Sequence, residues 1–254
     1  MEKNSKIKVF WNDILEVIDI LDDDFDICFT SPPYNLSKNH FESEKWNTIG
    51  KIQKYGNQKD YIKDYVSFLE TVILKLLKKC KYFFLNVQSL GPNKKDLIEL
   101  QYRLKDYYCD TIIWNKGNGI PNGCNKRVMT AVFEYIHIYS LKPNRSVGTK
   151  DWRGNVNNVI NLSGNYKNKY SHIHKALFPL DLAIKIVSNF VKPNGKVLDC
   201  FGGLGTTMIA CILNKMDGVS VEINETYAKT SVERINEYLE NKIEVIKHET
   251  GFNL

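Results

Sequence analysis

The chain is expected to fold as an α/β protein: a doubly wound, mixed but mostly parallel sheet with helices on both faces. Three observations predict this. Short apolar runs alternate with stretches patterned at helical spacing, the rhythm of strands joined by crossover helices. The run Val197-Leu198-Asp199 enters a glycine cluster (Gly202, Gly203, Gly205) and emerges into Met208–Leu213, which suits a helix, so strand, glycine turn and helix follow one another. Near the N-terminus, Asp24–Phe29 reads as a buried strand that runs straight into Thr30-Ser31-Pro32-Pro33-Tyr34-Asn35. At 254 residues and 43% hydrophobic content the chain can bury one sizeable core but not two, so residues 1–254 are read as a single domain.

Taken in order, Val9-Phe10-Trp11 is the first strand and Ile14–Ile18 opens a helix, with Asp13 placed as its N-cap. The strand at Asp24–Phe29 cannot continue through Pro32 and Pro33, because neither proline donates a ladder hydrogen bond and both fix φ. The resulting corner offers the Ser31 hydroxyl and backbone carbonyls as acceptors beside the Tyr34 ring. That set can hold a flat ring bearing an NH2 group; an ordinary Pro-Pro turn with a surface tyrosine is the plain alternative. Tyr65–Leu77 carries apolar residues at helical spacing, and Lys81–Val87 is an apolar strand. Beyond the glycine turn, Gly218–Ile223 is a further strand, and its Glu222 lies 23 residues after Asp199, placed to accept from ribose hydroxyls. Glycines allow close backbone approach and the helix start supplies N–H groups, while the lack of a lysine after them argues against a P-loop.

The net charge of +6 suits a polyanionic partner. Residues 36–60 and 116–128 are polar, Lys/Asn/Gly-rich stretches that read as loops leaving the sheet, as does 142–171. Lys38, Lys116, Lys126, Arg127, Arg145, Lys150 and Arg153 are candidate phosphate neutralisers, with Asn35 among the nucleic-acid contacts; solvated loops are the alternative. Six cysteines without a Cys-x-x-Cys pair read as reduced, buried side chains of a cytoplasmic protein, not zinc ligands, and no metal is expected. No apolar run approaches the roughly 20 residues that span a bilayer, and the polar opening segment does not read as a signal peptide.

Together, Ser31-Pro32-Pro33-Tyr34 and Asp199-Cys200-Phe201-Gly202-Gly203-Leu204-Gly205-Thr206-Thr207 resemble the signature motifs of the S-adenosylmethionine-dependent DNA amino-methyltransferases. That family methylates an exocyclic nitrogen of cytosine or adenine; its motifs are Asp/Asn/Ser-Pro-Pro-Tyr/Phe and one close to Asp-Pro-Phe-x-Gly-x-Gly-Thr-Thr. The catalytic motif comes first here, which is similar to the family's beta class and implies a circularly permuted, Rossmann-like class I methyltransferase fold. Cys200 replaces the usual proline and Leu204 the usual Ser or Thr, in a turn that keeps Asp199 and the glycines. His174-Lys175-Ala176-Leu177-Phe178-Pro179 resembles the family's His-Pro-Ala-x-Phe-Pro element, with Lys175 in place of its first proline. The resemblance covers nearly the whole chain.

It implies catalytic roles for Ser31, Pro32, Pro33 and Tyr34. It implies S-adenosyl-L-methionine as cofactor, contacted by Asp13, Phe178, Asp199, Phe201, Gly202, Gly203, Gly205, Thr206 and Glu222. DNA is the implied partner, with 142–171 as a short target-recognition insertion; a second copy of the chain and a cognate restriction endonuclease are further candidates. Ser31 and Phe178-Pro179 look more like the members that act on cytosine N4, so that reaction is expected on a flipped-out base, with adenine N6 as the alternative by the same mechanism. Amide or RNA-base methylation, and a non-catalytic DNA-binding module, remain open; amide-methylating relatives place the cofactor motif first.

Overall fold

In the computed structural model, residues 4–22, 24–35, 62–118, 129–148, 156–164, 169–170, 173 and 177–247 are described. They form one sheet with strand order β6-β4-β5-β3-β2-β7-β8-β1-β9. The strands are β1 (Ile7–Trp11), β2 (Phe25–Thr30), β3 (Cys80–Val87), β4 (Tyr108–Asn115), β5 (Phe133–Tyr139), β6 (Val159–Asn161), β7 (Lys196–Asp199), β8 (Asp217–Glu222) and β9 (Val245–Ile246). Strand β5 pairs antiparallel with β3 and β4; every other described pairing is parallel. The mostly parallel, doubly wound expectation is thus met.

The helices are α1 (Ile14–Val17), α2 (Tyr65–Leu76), α3 (Lys94–Arg103), α4 (Leu180–Phe190), α5 (Thr206–Leu213) and α6 (Glu225–Asn236). One face is covered by α4, α5 and α6, whose Ile186, Phe190, Ile209 and Ile235 pack with Ile27, Phe29, Phe84 and Val197 of the sheet. The other is covered by α1, α2 and α3, whose Val17, Leu69, Ile73 and Leu97 meet Cys28, Phe83, Leu85 and Leu198. Neighbouring residues on β2, β3 and β7 thus point into opposite cores, and β2 is buried at every position. A central parallel strand with both faces covered is largely apolar, which makes Asp24–Phe29 readable as a strand despite lacking alternation; its buried acid, Asp26, is paired with Lys81 at 3.0 Å.

Helix α4 shows how the sequence produces the packing. Leu182, Ala183, Ile186, Val187 and Phe190 recur at the spacing of one helical face and are all buried. Phe190 sits 4.9 Å from Phe84, centroid to centroid. Truncating such a buried ring costs about 3–5 kcal/mol. Among the described residues, no helix is long and apolar enough to cross a membrane.

Candidate active site

Two strand ends create the site. From β7 the chain proceeds through α5 to its neighbour β8, and from β2 through α2 to its neighbour β3, in the opposite direction along the sheet. Strands β2 and β7 are themselves paired, Cys28 opposite Leu198. The winding therefore reverses between them, and a crevice opens beyond their carboxyl ends, the usual ligand position of such sheets.

The two ends are joined by one buried residue. The Thr30 hydroxyl, at the last position of β2, donates to Asp199 Oδ1 at 2.7 Å and accepts from the Phe201 N–H at 3.1 Å. Asp199 Oδ2 accepts from the Thr207 hydroxyl at 2.6 Å, and the Phe201 N–H also reaches Oδ1 at 3.3 Å. Burial pushes the Asp199 pKa up, and these donors pull against it. The carboxylate ties the start of the turn to its end and to the neighbouring strand.

The turn itself is held open by its glycines. Gly203 (φ 51°) and Gly205 (φ 75°) occupy left-handed backbone that favours glycine. A Cβ on Gly202 would lie 1.9 Å from Ser220 Oγ on the adjoining strand, so that residue packs directly on β8. Glu222, at the end of β8, accepts from the Gly203 N–H and the Asn224 N–H, each at 2.8 Å. Burial pushes its pKa up to about 7; those two N–H groups oppose the shift, and the charge on Asp199 adds to it. Thr206, the first residue of α5, holds a buried hydroxyl with no partner among the described residues. Open glycine backbone, a helix start, an orphan hydroxyl and a carboxylate at the adjoining strand end fit a ligand that carries ribose hydroxyls.

Asp13 caps α1, accepting from the Leu15 N–H at 2.9 Å, as its position suggested. It also sits beside Glu222, because Trp11 pairs with Glu222 and Asn12 N–H donates to the Glu222 carbonyl at 3.1 Å. Phe178 is half-buried, 5.4 Å from Phe29 of β2, and Phe201 lies 6.0 Å from Phe68 of α2.

The corner after β2 is braced by groups from distant segments. Pro32 is buried and Pro33 exposed. The Pro33 carbonyl accepts from the Tyr65 hydroxyl at 2.7 Å, and the Tyr34 carbonyl from Asn93 Nδ2 at 2.9 Å. Asn93 Oδ1 meanwhile accepts from the Leu90 N–H at 2.8 Å. The Pro32 carbonyl, just ahead of these two fixed carbonyls, accepts no bond among the described residues. The Tyr34 hydroxyl donates to Glu134 Oε2 at 2.8 Å and lies 3.3 Å from Ser31 Oγ. Glu134, on β5, also takes Asn86 Nδ2 at 3.1 Å and Lys116 Nζ at 3.2 Å.

Several candidate nucleic-acid contacts are placed elsewhere than expected. Lys116 is only 8% exposed and is paired with Glu134, so it is part of the corner and not a surface phosphate contact. Asn35, in left-handed backbone (φ 53°), is buried, its side chain accepting from the Ile62 N–H at 2.9 Å and donating to the Ile62 carbonyl at 3.3 Å. Arg145 is exposed and pairs with Asp110 at 3.3 Å. Lys38, Lys126, Arg127, Lys150 and Arg153 lie outside the described residues, as do 36–60, most of 116–128 and parts of 142–171. The residues that sequence reasoning missed are Thr30, Tyr65, Asn86, Asn93 and Glu134. Glu134 left a signal: a lone acid inside the apolar run Val132–Tyr139 needs a buried partner.

Known proteins are similar to this chain. The family model of the N6/N4 DNA methylases matches residues 25–233. The Type II methyltransferase M.SmaI of Serratia marcescens is 30% identical over 277 aligned positions, covering 90% of this chain and 90% of that protein. The solved PvuII DNA methyltransferase, described as cytosine-N4-specific, is similar with a TM-score of 0.66 at 18% identity, over 95% of this chain and 89% of its own. The solved complex of M1.HpyAVI with SAM is similar with a TM-score of 0.60 at 20% identity, over 90% of this chain and 99% of its own. At these identities the two structures bear on the fold, which is that of the class I Rossmann-like methyltransferases.

Proposed function

The chain belongs to the N6/N4 DNA methylase family, and from that premise we propose that it methylates the exocyclic N4 of cytosine in DNA, with S-adenosyl-L-methionine as donor. The observation that carries this reading is the corner at β2. A serine hydroxyl and the Pro32 carbonyl, which accepts no bond from the described residues, stand beside an aromatic ring, at the strand end next to the cofactor turn. An amino group on a base is a poor nucleophile, because its lone pair is delocalised into the ring. Ser31 Oγ and the Pro32 carbonyl accept its two N–H bonds, which localises the lone pair on nitrogen. When bound at the β7 turn, the cofactor supplies a methyl group on a sulfonium, an electrophile without need of metal or redox chemistry. Holding the nitrogen in line with that methyl supplies much of the rate. The proton leaves after transfer, so no strong base has to act first.

Tyr34 stacks on the base, which must leave the duplex to reach the crevice at a cost of about a few kcal/mol. The likeness to the M1.HpyAVI–SAM complex supports the choice of donor. Serine at the first position of the corner supports cytosine, since members with that residue most often act on cytosine N4, and the PvuII likeness points the same way. Residues 142–171 are assigned to target recognition, and the net charge of +6 favours DNA as partner. The likeness to a Type II methyltransferase supports pairing with a restriction endonuclease. The test is to incubate DNA with the protein and labelled donor and digest it to nucleosides. N4-methylcytosine is expected; N6-methyladenine alone would reverse the choice of base.

A further inference from the structure

A hydroxyl carries one hydrogen and two lone pairs, so Ser31 accepts dependably from an amino group only if its own proton is committed elsewhere. The corner contains a device for that. Glu134 is 7% exposed and Lys116, at 3.2 Å from its Oε1, is 8% exposed, so each charge is held by the other. Asn86 fixes the remaining oxygen: its Nδ2 meets both Glu134 Oε2 at 3.1 Å and the Tyr135 carbonyl at 3.2 Å, which leaves only one sensible orientation of the amide.

A charged carboxylate only accepts, so the single phenolic proton of Tyr34 is committed to Glu134 at 2.8 Å. Burial, and then the charge on Glu134, hold the Tyr34 pKa well above its ordinary value, so that proton stays in place. The phenolic oxygen then offers Ser31 nothing but lone pairs across 3.3 Å, and Ser31 must donate. That contact is longer than a usual hydroxyl pair, as is common before a substrate closes a site.

We propose that Glu134, paired with Lys116, is a positioning residue that sets the direction of the Ser31–Tyr34 hydrogen-bond chain and so turns Ser31 into an acceptor for the amino group. The inference rests on Ser31 as acceptor, and holds whichever base is methylated. An acid in the place of Ser31 would accept unaided; a serine needs its proton drawn away.

The experiment measures single-turnover methyl transfer to unmethylated DNA with labelled S-adenosylmethionine, together with KM for DNA and Kd for S-adenosylhomocysteine. Glu134→Gln should slow transfer about tenfold or more, since an amide can also donate and no longer dictates the direction, with KM and Kd unchanged. Glu134→Gln alone leaves Lys116 buried without its partner, so Glu134→Gln/Lys116→Met removes both charges and should show the same slowing. Tyr34→Phe breaks the chain while keeping the ring, and adding Glu134→Gln to it should then change the rate less than about twofold. Full rate in Glu134→Gln, recovery of rate in Glu134→Gln/Lys116→Met, or an undiminished loss in the Tyr34→Phe background would each overturn the proposal. Ser31→Ala separates the layers: if it keeps full rate, Ser31 is not the acceptor and the underlying mechanism falls; if it is slow while Glu134→Gln is not, only the role of Glu134 falls.

Discussion

The corner after β2 and the turn after β7 lie side by side, but they are assembled differently. The turn draws mainly on its own segment and the strand that follows: Asp199 takes the Phe201 N–H and the Thr207 hydroxyl, Val221 and Glu222 of β8 take the Gly202 and Gly203 N–H groups, and Thr30 comes from afar. The corner borrows its support from Tyr65 on α2, Asn93 ahead of α3 and Glu134 on β5. The first is a local motif that a short stretch of sequence can specify; the second exists only once distant elements have docked. Damage to the turn should therefore appear in cofactor affinity, and damage to the corner in turnover.

The largest effect is expected from Asp199→Ala, which strands the Thr30 and Thr207 hydroxyls in a buried place and leaves the Phe201 N–H with Thr30 alone. Unfolding in denaturant should reveal a loss of about 3 kcal/mol or more, and S-adenosylhomocysteine should no longer raise the thermal midpoint. Because Thr30 belongs to β2, this substitution should also disturb the corner. Asn93→Ala releases the Tyr34 carbonyl and the Leu90 N–H, and should lower turnover about tenfold with S-adenosylhomocysteine affinity kept within about twofold. A matching fall in affinity by calorimetry would break the distinction between the two regions.

The pH response of Glu222 sharpens it. Its folded pKa of about 7 lies above the ordinary 4.5, so its contribution to stability is fully present below about 4.5 and is lost as pH rises to about 7. Ribose hydroxyls donate to the charged form, so cofactor affinity should run the other way, strengthening by at most about tenfold per pH unit up to about 7 and then levelling. Titration calorimetry across this range should lose that slope in Glu222→Gln. The smallest effect belongs to Tyr65→Phe, which removes one hydrogen bond to the Pro33 carbonyl. A loss of about 1 kcal/mol in stability and a few-fold slower turnover are expected, with cofactor affinity unaltered.

The same contrast explains what the sequence disclosed. Strands β2 and β7, the glycine turn and α5 were legible because each is a short apolar or glycine-marked run that can be recognised without knowing its partners. Helix α3 was not, because only Leu97 and Leu100 along it are buried and its other face is charged. Edge strands β6 and β9 are too short to leave a pattern. At the site, Ser31 and Glu222 could be picked out by position, but the identity of their partners depends on which strands become neighbours. Lys116 illustrates the limit: within a polar Lys/Asn/Gly stretch it reads as a surface cation, and only the pairing of Asn115 with Phe133 on β5 brings it to Glu134. Asn35 misled in the same way, since a side chain next to a catalytic motif can be occupied with closing the backbone.

That closure has a bearing on how such proteins diversify. Asn35 and Ile62 are clasped by two hydrogen bonds, so the chain departs and returns at one point, whatever the length of residues 36–61 between them. For loops in general, doubling the length costs only about 0.6 kcal/mol once the ends are joined. The clasp behaves as a socket: Tyr65 and Asn93, which brace Pro33 and Tyr34, both lie beyond it in the chain. Replacing residues between Asn35 and Ile62 should then leave that bracing, and the affinity for S-adenosylhomocysteine, unchanged.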